Sequence, residues 1–85
     1  MMSKQHLKIK VGDIVKHYKG NYYQILGFAT HTETLKDLVL YASYDIETKE
    51  TWKVRIWARP KYMFDDIIDK ENNIKRFEVV DQNVE

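Results

Sequence analysis

The sequence predicts an all-β protein, a small and strongly bent or partly open barrel of about five or six antiparallel strands with one short 3-10 turn. Two observations support this class. Short segments rich in β-branched and aromatic residues alternate with polar turns, and no helical period runs through them. The composition supplies six Tyr, three Phe, two Trp and no Cys in 85 residues, so aromatic burial has to stabilise the core.

The first two strands are predicted to form a hairpin. The segment 12–18 is β-branched and aromatic, and a tight turn follows in which Gly20 can adopt a positive φ. Residues 22–30 form the second arm, and Gly27 marks the place where a bulge or bend lets the sheet curl.

The middle of the chain predicts two further strands. After a polar loop at 32–37, the continuous apolar run 38–44 predicts a central strand, and 45–50 forms the next turn. Strand 51–58 alternates, which places Trp52, Val54 and Ile56 toward the core and Lys53, Arg55 and Trp57 on the other face.

Pro60 ends that strand, and a 3-10 or irregular turn is expected at 61–63. Segments 64–68 and 74–80 are predicted as the last two strands around a polar turn, with Met63, Phe64 and Phe77 in the core. The predicted organisation is therefore a loose lead-in at 1–8, one barrel domain at 9–80 and a frayed tail at 81–85.

Charge and composition limit the function classes. Fourteen Lys and Arg oppose 13 Asp and Glu, and the resulting formal charge of +1 disfavours nucleic-acid binding. No apolar run approaches the roughly 20 residues of a membrane span, and the first residues do not resemble a secretion signal. We therefore predict a cytoplasmic protein without a membrane partner, and a monomer or a weak dimer.

Four short blocks resemble a known bacterial family. They are H-Y-K-G-x-x-Y from His17, H-x-E-T from His31, W-x-R-P-x-x-M-F from Trp57, and R-F-E at 76–78. Together they resemble the domain of unknown function 1653 family over about residues 17–78. This resemblance implies an SH3-like barrel without a known activity. The long turn at 45–50 departs from the family pattern.

Eight residues are predicted to form a ligand-binding site: His17, Tyr18, His31, Glu33, Thr34, Tyr41, Trp57 and Arg59. If the first two strands pair, His17 and His31 approach the same sheet edge, where two imidazoles near Glu33 could bind a metal or transfer protons. The spacing resembles no zinc motif, so we predict no metal and no cofactor. The H-x-E-T block fits equally well a pocket mouth or a turn shaped by side-chain hydrogen bonds.

Trp57 and Arg59 have two interpretations. On the outer face, the indole and guanidinium would recognise a stacked base or sugar and a phosphate or carboxylate. A bulge near residue 58 would instead turn Trp57 into the core, and Arg59 would pair with Glu33 or Asp65.

We consider three functions. The favoured one is a non-catalytic binding module for a small anionic or nucleotide-like ligand or a protein segment, because no nucleophile motif or Gly-rich phosphate loop is present. The second is a small enzyme with His17 or His31 as general base and Arg59 as anion clamp. The third is single-stranded nucleic-acid binding through Lys53, Arg55, Trp57 and Arg59.

Overall fold

The computed structural model describes residues 9–80, and the predicted lead-in at 1–8 and tail at 81–85 lie outside this range. Seven strands and one 3-10 helix follow in chain order: β1 Ile14–His17, β2 Tyr22–Thr30, β3 Asp37–Asp45, β4 Glu50–Pro60, the 3-10 helix Lys61–Phe64, β5 Ile67–Asp69, β6 Ile74–Lys75 and β7 Phe77–Val79. The predicted all-β class and the 3-10 turn are confirmed. No helix in the described range is long and apolar enough to cross a membrane.

Five of the strands form one antiparallel sheet in the order β4-β3-β2-β1-β7, and β5 pairs with β6. Neither sheet closes into a barrel, in agreement with the partly open form that the sequence predicts. The sheet nevertheless bends strongly. The guanidinium of Arg59 on β4, one edge strand, lies 5.4 Å from the ring centre of Phe77 on β7, the other edge strand.

The hairpin and the first bulge form where the sequence predicts them. Lys16 pairs with Tyr22 across the turn, and Gly20 has a φ of 109°, a region that glycine adopts without a steric cost. In β2, Ile25 pairs with Tyr41 and Gly27 pairs with Leu40, so Leu26 is the extra residue of a bulge beside Gly27. This bulge increases the local bend of the sheet.

A second bulge lies in β4, and because of it the predicted orientation of the β4 side chains is wrong. Trp57 pairs with Tyr41 and Trp52 pairs with Ser43, so the four residues 53–56 oppose only Ala42. Three extra residues reverse the alternation, and both indoles therefore lie on the inner face with Tyr41. Val54, expected in the core, is 91% exposed.

The end of the chain also differs from the prediction. Phe64 belongs to the 3-10 helix, and the expected strand 74–80 is split at Arg76. The backbone N–H of Arg76 donates to the carbonyl of Asp66, and its guanidinium binds the Asp66 carboxylate at 2.7 Å. These contacts stabilise the backbone at Arg76, where the chain passes from one sheet to the other. Before Arg76, β6 pairs with β5; after it, β7 pairs with β1.

The core lies on the inner face of the five-stranded sheet and contains Val15, Ile25, Val39, Tyr41, Phe64 and Phe77. Phe64 and Phe77 are stacked with ring centres 4.2 Å apart, and both are buried as predicted, whereas Met63 is half-buried. Tyr41 packs edge-on against both rings. This aromatic cluster ends at an opening between the first hairpin and β4, where the candidate site lies.

Candidate functional site

A cavity of about 330 Å³ opens beside the aromatic core. We call it the cationic cavity and define it by its lining residues: His17, Tyr18, Lys19, Asn21, Tyr23, Tyr41, Arg59, Arg76 and Phe77. Four of the eight predicted site residues are among them. The volume is at the small end of the range of roughly 300–1,000 Å³ that is typical of ligand pockets.

Sheet register brings Arg59 into the cavity. Arg59 pairs with Val39, so its side chain projects from the same inner face as Tyr41, two residues further along β3. Its Nε group donates a hydrogen bond of 3.0 Å to the Tyr41 hydroxyl oxygen, and its guanidinium lies over the Phe77 ring. Arg59 therefore turns inward and forms no ion pair with Glu33. Tyr41 is the acceptor in this bond, so its O–H proton can still be donated to a ligand.

The first hairpin supplies His17, Tyr18 and Lys19. The N–H of Lys19 donates to His17 Nδ1 at 3.2 Å, and the imidazole packs edge-on against Phe77. An Nδ1 that accepts a hydrogen bond carries no proton, so in the neutral ring the proton is on Nε2. Burial lowers the pKa of His17 from its usual 6.5, and the positive charge of Arg59 lowers it further. At pH 7 this ring is neutral and donates through Nε2.

The electrostatics of the cavity favour an anion. Lys19, Arg59 and Arg76 carry positive charge, and none of the nine lining residues is acidic. The Asp66 carboxylate forms an ion pair with Arg76 and neutralises its charge, so Lys19 and Arg59 are the principal cations of the cavity. A half-buried guanidinium beside a phenol hydroxyl recognises carboxylate or phosphate by charge-assisted hydrogen bonds.

Trp57 is not a lining residue of the cavity but packs against two of its tyrosines. Its ring lies 5.9 Å from the Tyr23 ring and 6.0 Å from the Tyr41 ring, and 36% of the residue is exposed. The sequence left open whether Trp57 is a core or a surface residue. The β4 bulge gives an intermediate result, because one side of the indole packs on the tyrosines that line the cavity and the rest faces a neighbouring groove.

His31, Glu33 and Thr34 lie apart from the cavity. His31 follows the last residue of β2, whereas His17 lies beside the first, and nine residues of strand span roughly 30 Å. The expectation that both histidines approach one sheet edge is therefore wrong. His31 Nδ1 accepts hydrogen bonds from the N–H groups of Glu33 at 3.1 Å and Thr34 at 3.2 Å, the turn-shaping geometry that the sequence also allowed.

Two proposed chemistries lose their geometric basis. A metal site shared by both histidines cannot form across this distance, and no cluster of three metal-binding side chains occurs within residues 9–80. The basic stripe does not form one surface either, because Arg55 and Trp57 border one groove while Arg59 lines the cationic cavity.

Five cavity residues escaped the predicted set: Lys19, Asn21, Tyr23, Arg76 and Phe77. Four of them nevertheless belong to the family-like blocks H-Y-K-G-x-x-Y and R-F-E. Three of the four blocks thus meet in this cavity, and only H-x-E-T lies elsewhere. The signal that would have found them is that separate short blocks with polar and aromatic members converge on a pocket.

Comparison with known proteins supports the resemblance. The family model described as protein of unknown function (DUF1653) matches residues 13–79. The match includes every residue that lines the cationic cavity. Searches of the curated proteins and of the solved structures found no match to the chain.

Proposed function

The chain belongs to the DUF1653 family, whose function is unknown, and on this premise we propose that it is a non-catalytic binding module whose cationic cavity holds the phosphate or carboxylate of a small, nucleotide-like or other anionic ligand. The observation that carries the proposal is the Arg59–Tyr41 pair, joined at 3.0 Å over Phe77. As part of the same proposal, we place this SH3-like domain in the bacterial cytoplasm, where a chain without cysteine needs no disulfide.

The donors around the cavity match a tetrahedral or planar anion. Arg59 presents a guanidinium fork, Tyr41 an O–H group and His17 an Nε2–H group, while the Lys19 ammonium is close to the entrance. Aromatic walls exclude water from one side and strengthen these electrostatic interactions. The cavity volume of about 330 Å³ accommodates an anionic group with one small ring rather than a polymer.

The test is an NMR titration of the isotope-labelled full chain with inorganic phosphate, acetate, adenosine monophosphate and uncharged adenosine. We expect the amide signals of the cavity residues to shift with phosphate and adenosine monophosphate, or with acetate. Uncharged adenosine should leave them unchanged. Loss of a charge-assisted hydrogen-bonding partner costs about 1.5–3 kcal/mol, so Arg59→Gln should weaken binding roughly 10- to 150-fold.

The matched control is Arg55→Gln, which removes an exposed arginine of the same strand outside the cavity. Binding should survive this change. The proposal is wrong if no anion shifts the cavity signals at low ionic strength, or if Arg55→Gln weakens binding as much as Arg59→Gln.

One observation favours the enzyme alternative, in which His17 acts alone as the general base. Its lowered pKa keeps the imidazole neutral at pH 7, and the base would be Nδ1, which would exchange the Lys19 N–H bond for a substrate proton while Arg59 holds the anion. Phosphorus NMR of the adenosine monophosphate mixture over days separates the two functions. Turnover that His17→Gln abolishes would establish the enzyme, and an unchanged spectrum with bound nucleotide would support the binding module.

A further inference from the structure

The bulged part of β4 forms an apolar surface outside the cationic cavity. Val54 is 91% exposed, and Trp52 and Ile56 are each 54% exposed. Beside them lies a groove of about 530 Å³, which Trp52 and Trp57 border together with Ile46 of the β3–β4 turn. We call this surface the Trp52 surface. A contiguous apolar surface of this kind, rimmed by polar residues, marks a contact with another molecule.

The position of β4 in the sheet supports the same conclusion. In the order β4-β3-β2-β1-β7, β4 is an edge strand whose outer side pairs with no other described strand. Soluble proteins protect exposed edges with charges, prolines or bulges, because an open edge invites pairing with a second chain. The β4 edge has a bulge, but the bulge presents Val54 and Ile56 to solvent alongside the exposed Lys53 and Arg55.

Charges around Trp52 change sign along the strand. Glu47 and Glu50 precede Trp52, and Lys53 and Arg55 follow it. None of the four takes part in an ion pair within residues 9–80, where Lys10–Asp13 and Arg76–Asp66 are the pairs that form. Along the strand, the acidic residues therefore lie on one side of Trp52, and the basic residues lie on the other side together with Val54 and Ile56.

Such a surface is complementary to itself. A two-fold axis near Trp52 sets two copies of β4 antiparallel, so that the acidic residues of each face the basic residues of the other. With the axis between Thr51 and Trp52, Glu50 faces Lys53 directly, and Glu47 lies one residue from the position opposite Arg55, twice over by symmetry. The net charge of +1 adds little overall repulsion between two copies.

We propose that the Trp52 surface is the interface of a two-fold symmetric dimer of this chain, with the two Trp52 side chains at its centre. The indoles bury each other and the exposed Val54 and Ile56 at the middle of the contact. Reciprocal Glu50–Lys53 pairs set its register, and Glu47 adds attraction to the nearby Arg55 of the other copy. The cationic cavity opens elsewhere on the inner face, so the dimer and the proposed ligand site are tested separately.

Sedimentation equilibrium of the full chain at increasing concentrations tests the proposal. The wild type should dimerise reversibly, and Trp52→Ala should raise the dissociation constant at least roughly 30-fold, as expected for a central aromatic residue of an interface. Circular dichroism checks that the variant remains folded. The matched control is Leu35→Asp, which introduces a charge at an exposed leucine of the distant β2–β3 loop and should leave dimerisation unchanged.

Charge reversal tests the register. Glu47→Lys with Glu50→Lys in one chain, and Lys53→Glu with Arg55→Glu in another, should each weaken self-association, and mixing the two variants should restore a heterodimer. The proposal is overturned if the wild type remains monomeric up to millimolar concentration, if Trp52→Ala has no greater effect than Leu35→Asp, or if the mixed variants fail to associate.

Discussion

Replacement of Trp57 by alanine tests the β4 bulge directly. In a regular strand, Trp57 would face solvent, and Val54 would lie in the core. In the structure, three extra residues reverse this arrangement, so Trp57 packs on Tyr23 and Tyr41, and Val54 is 91% exposed. The two alternatives predict opposite orders of destabilisation for Trp57→Ala and Val54→Ala.

The magnitude follows from burial. Trp57 is 36% exposed, so roughly two thirds of a side chain that can bury up to about 250 Å² is covered. At about 25 cal/mol per Å² this corresponds to ~4 kcal/mol. The compact unfolded state lowers that figure by roughly 10–40%, and the alanine methyl group retains part of it, so we expect a loss of about 2–3 kcal/mol.

Urea and thermal unfolding of the full chain provide the measurement. For a domain of this size, 1 kcal/mol corresponds to roughly 4–8 °C in Tm, so Trp57→Ala should lower Tm by about 10–20 °C. Val54→Ala should change the free energy of unfolding by less than about 0.5 kcal/mol, as for other exposed substitutions. A larger loss for Val54→Ala than for Trp57→Ala would refute the bulge and the placement of Trp57.

Three further outcomes are expected. Tyr41→Phe removes the acceptor of the Arg59 Nε hydrogen bond, so it should cost about 1 kcal/mol in urea unfolding and weaken anion binding, and unaltered binding would contradict the site. Burial and the charge of Arg59 hold the pKa of His17 below 6.5, so the unfolded chain binds this proton more readily. The free energy of unfolding should therefore fall as pH drops through 6.5 and level off below the folded-state pKa; His17→Gln should abolish this slope and His31→Gln should retain it. Gly20→Ala places a methyl group at a φ of 109° with no neighbouring atom to clash with, so the backbone alone should cost roughly 1–2 kcal/mol, and a neutral effect would argue against this hairpin turn.

Part of the candidate site was accessible from the sequence. His17, Tyr18, Tyr41 and Arg59, four of the eight predicted site residues, line one cavity, and Tyr23, Arg76 and Phe77 belong to the same short blocks. The error concerned His31. Its block has a similar polar composition, but composition does not reveal that a nine-residue strand separates it from His17.

Local structure follows from the sequence alone. Turn residues and alternating apolar segments predict the first hairpin, the bulge beside Gly27, the central strand β3, and the 3-10 turn after Pro60, because each depends on neighbours in the chain. The sequence also predicts that the core is aromatic, since a short chain without cysteine has no other large source of stabilisation.

Which side chains share a surface depends on how the strands pair and pack. In β4, the pairing of Trp57 with Tyr41 and of Trp52 with Ser43 reverses the alternation, and at Arg76 the chain moves from one sheet to the other. Both events depend on strand register, and register is chosen by packing between residues far apart in sequence. A shift of one residue moves a side chain to the opposite face, so the cationic cavity and the Trp52 surface exist only once the sheet has bent.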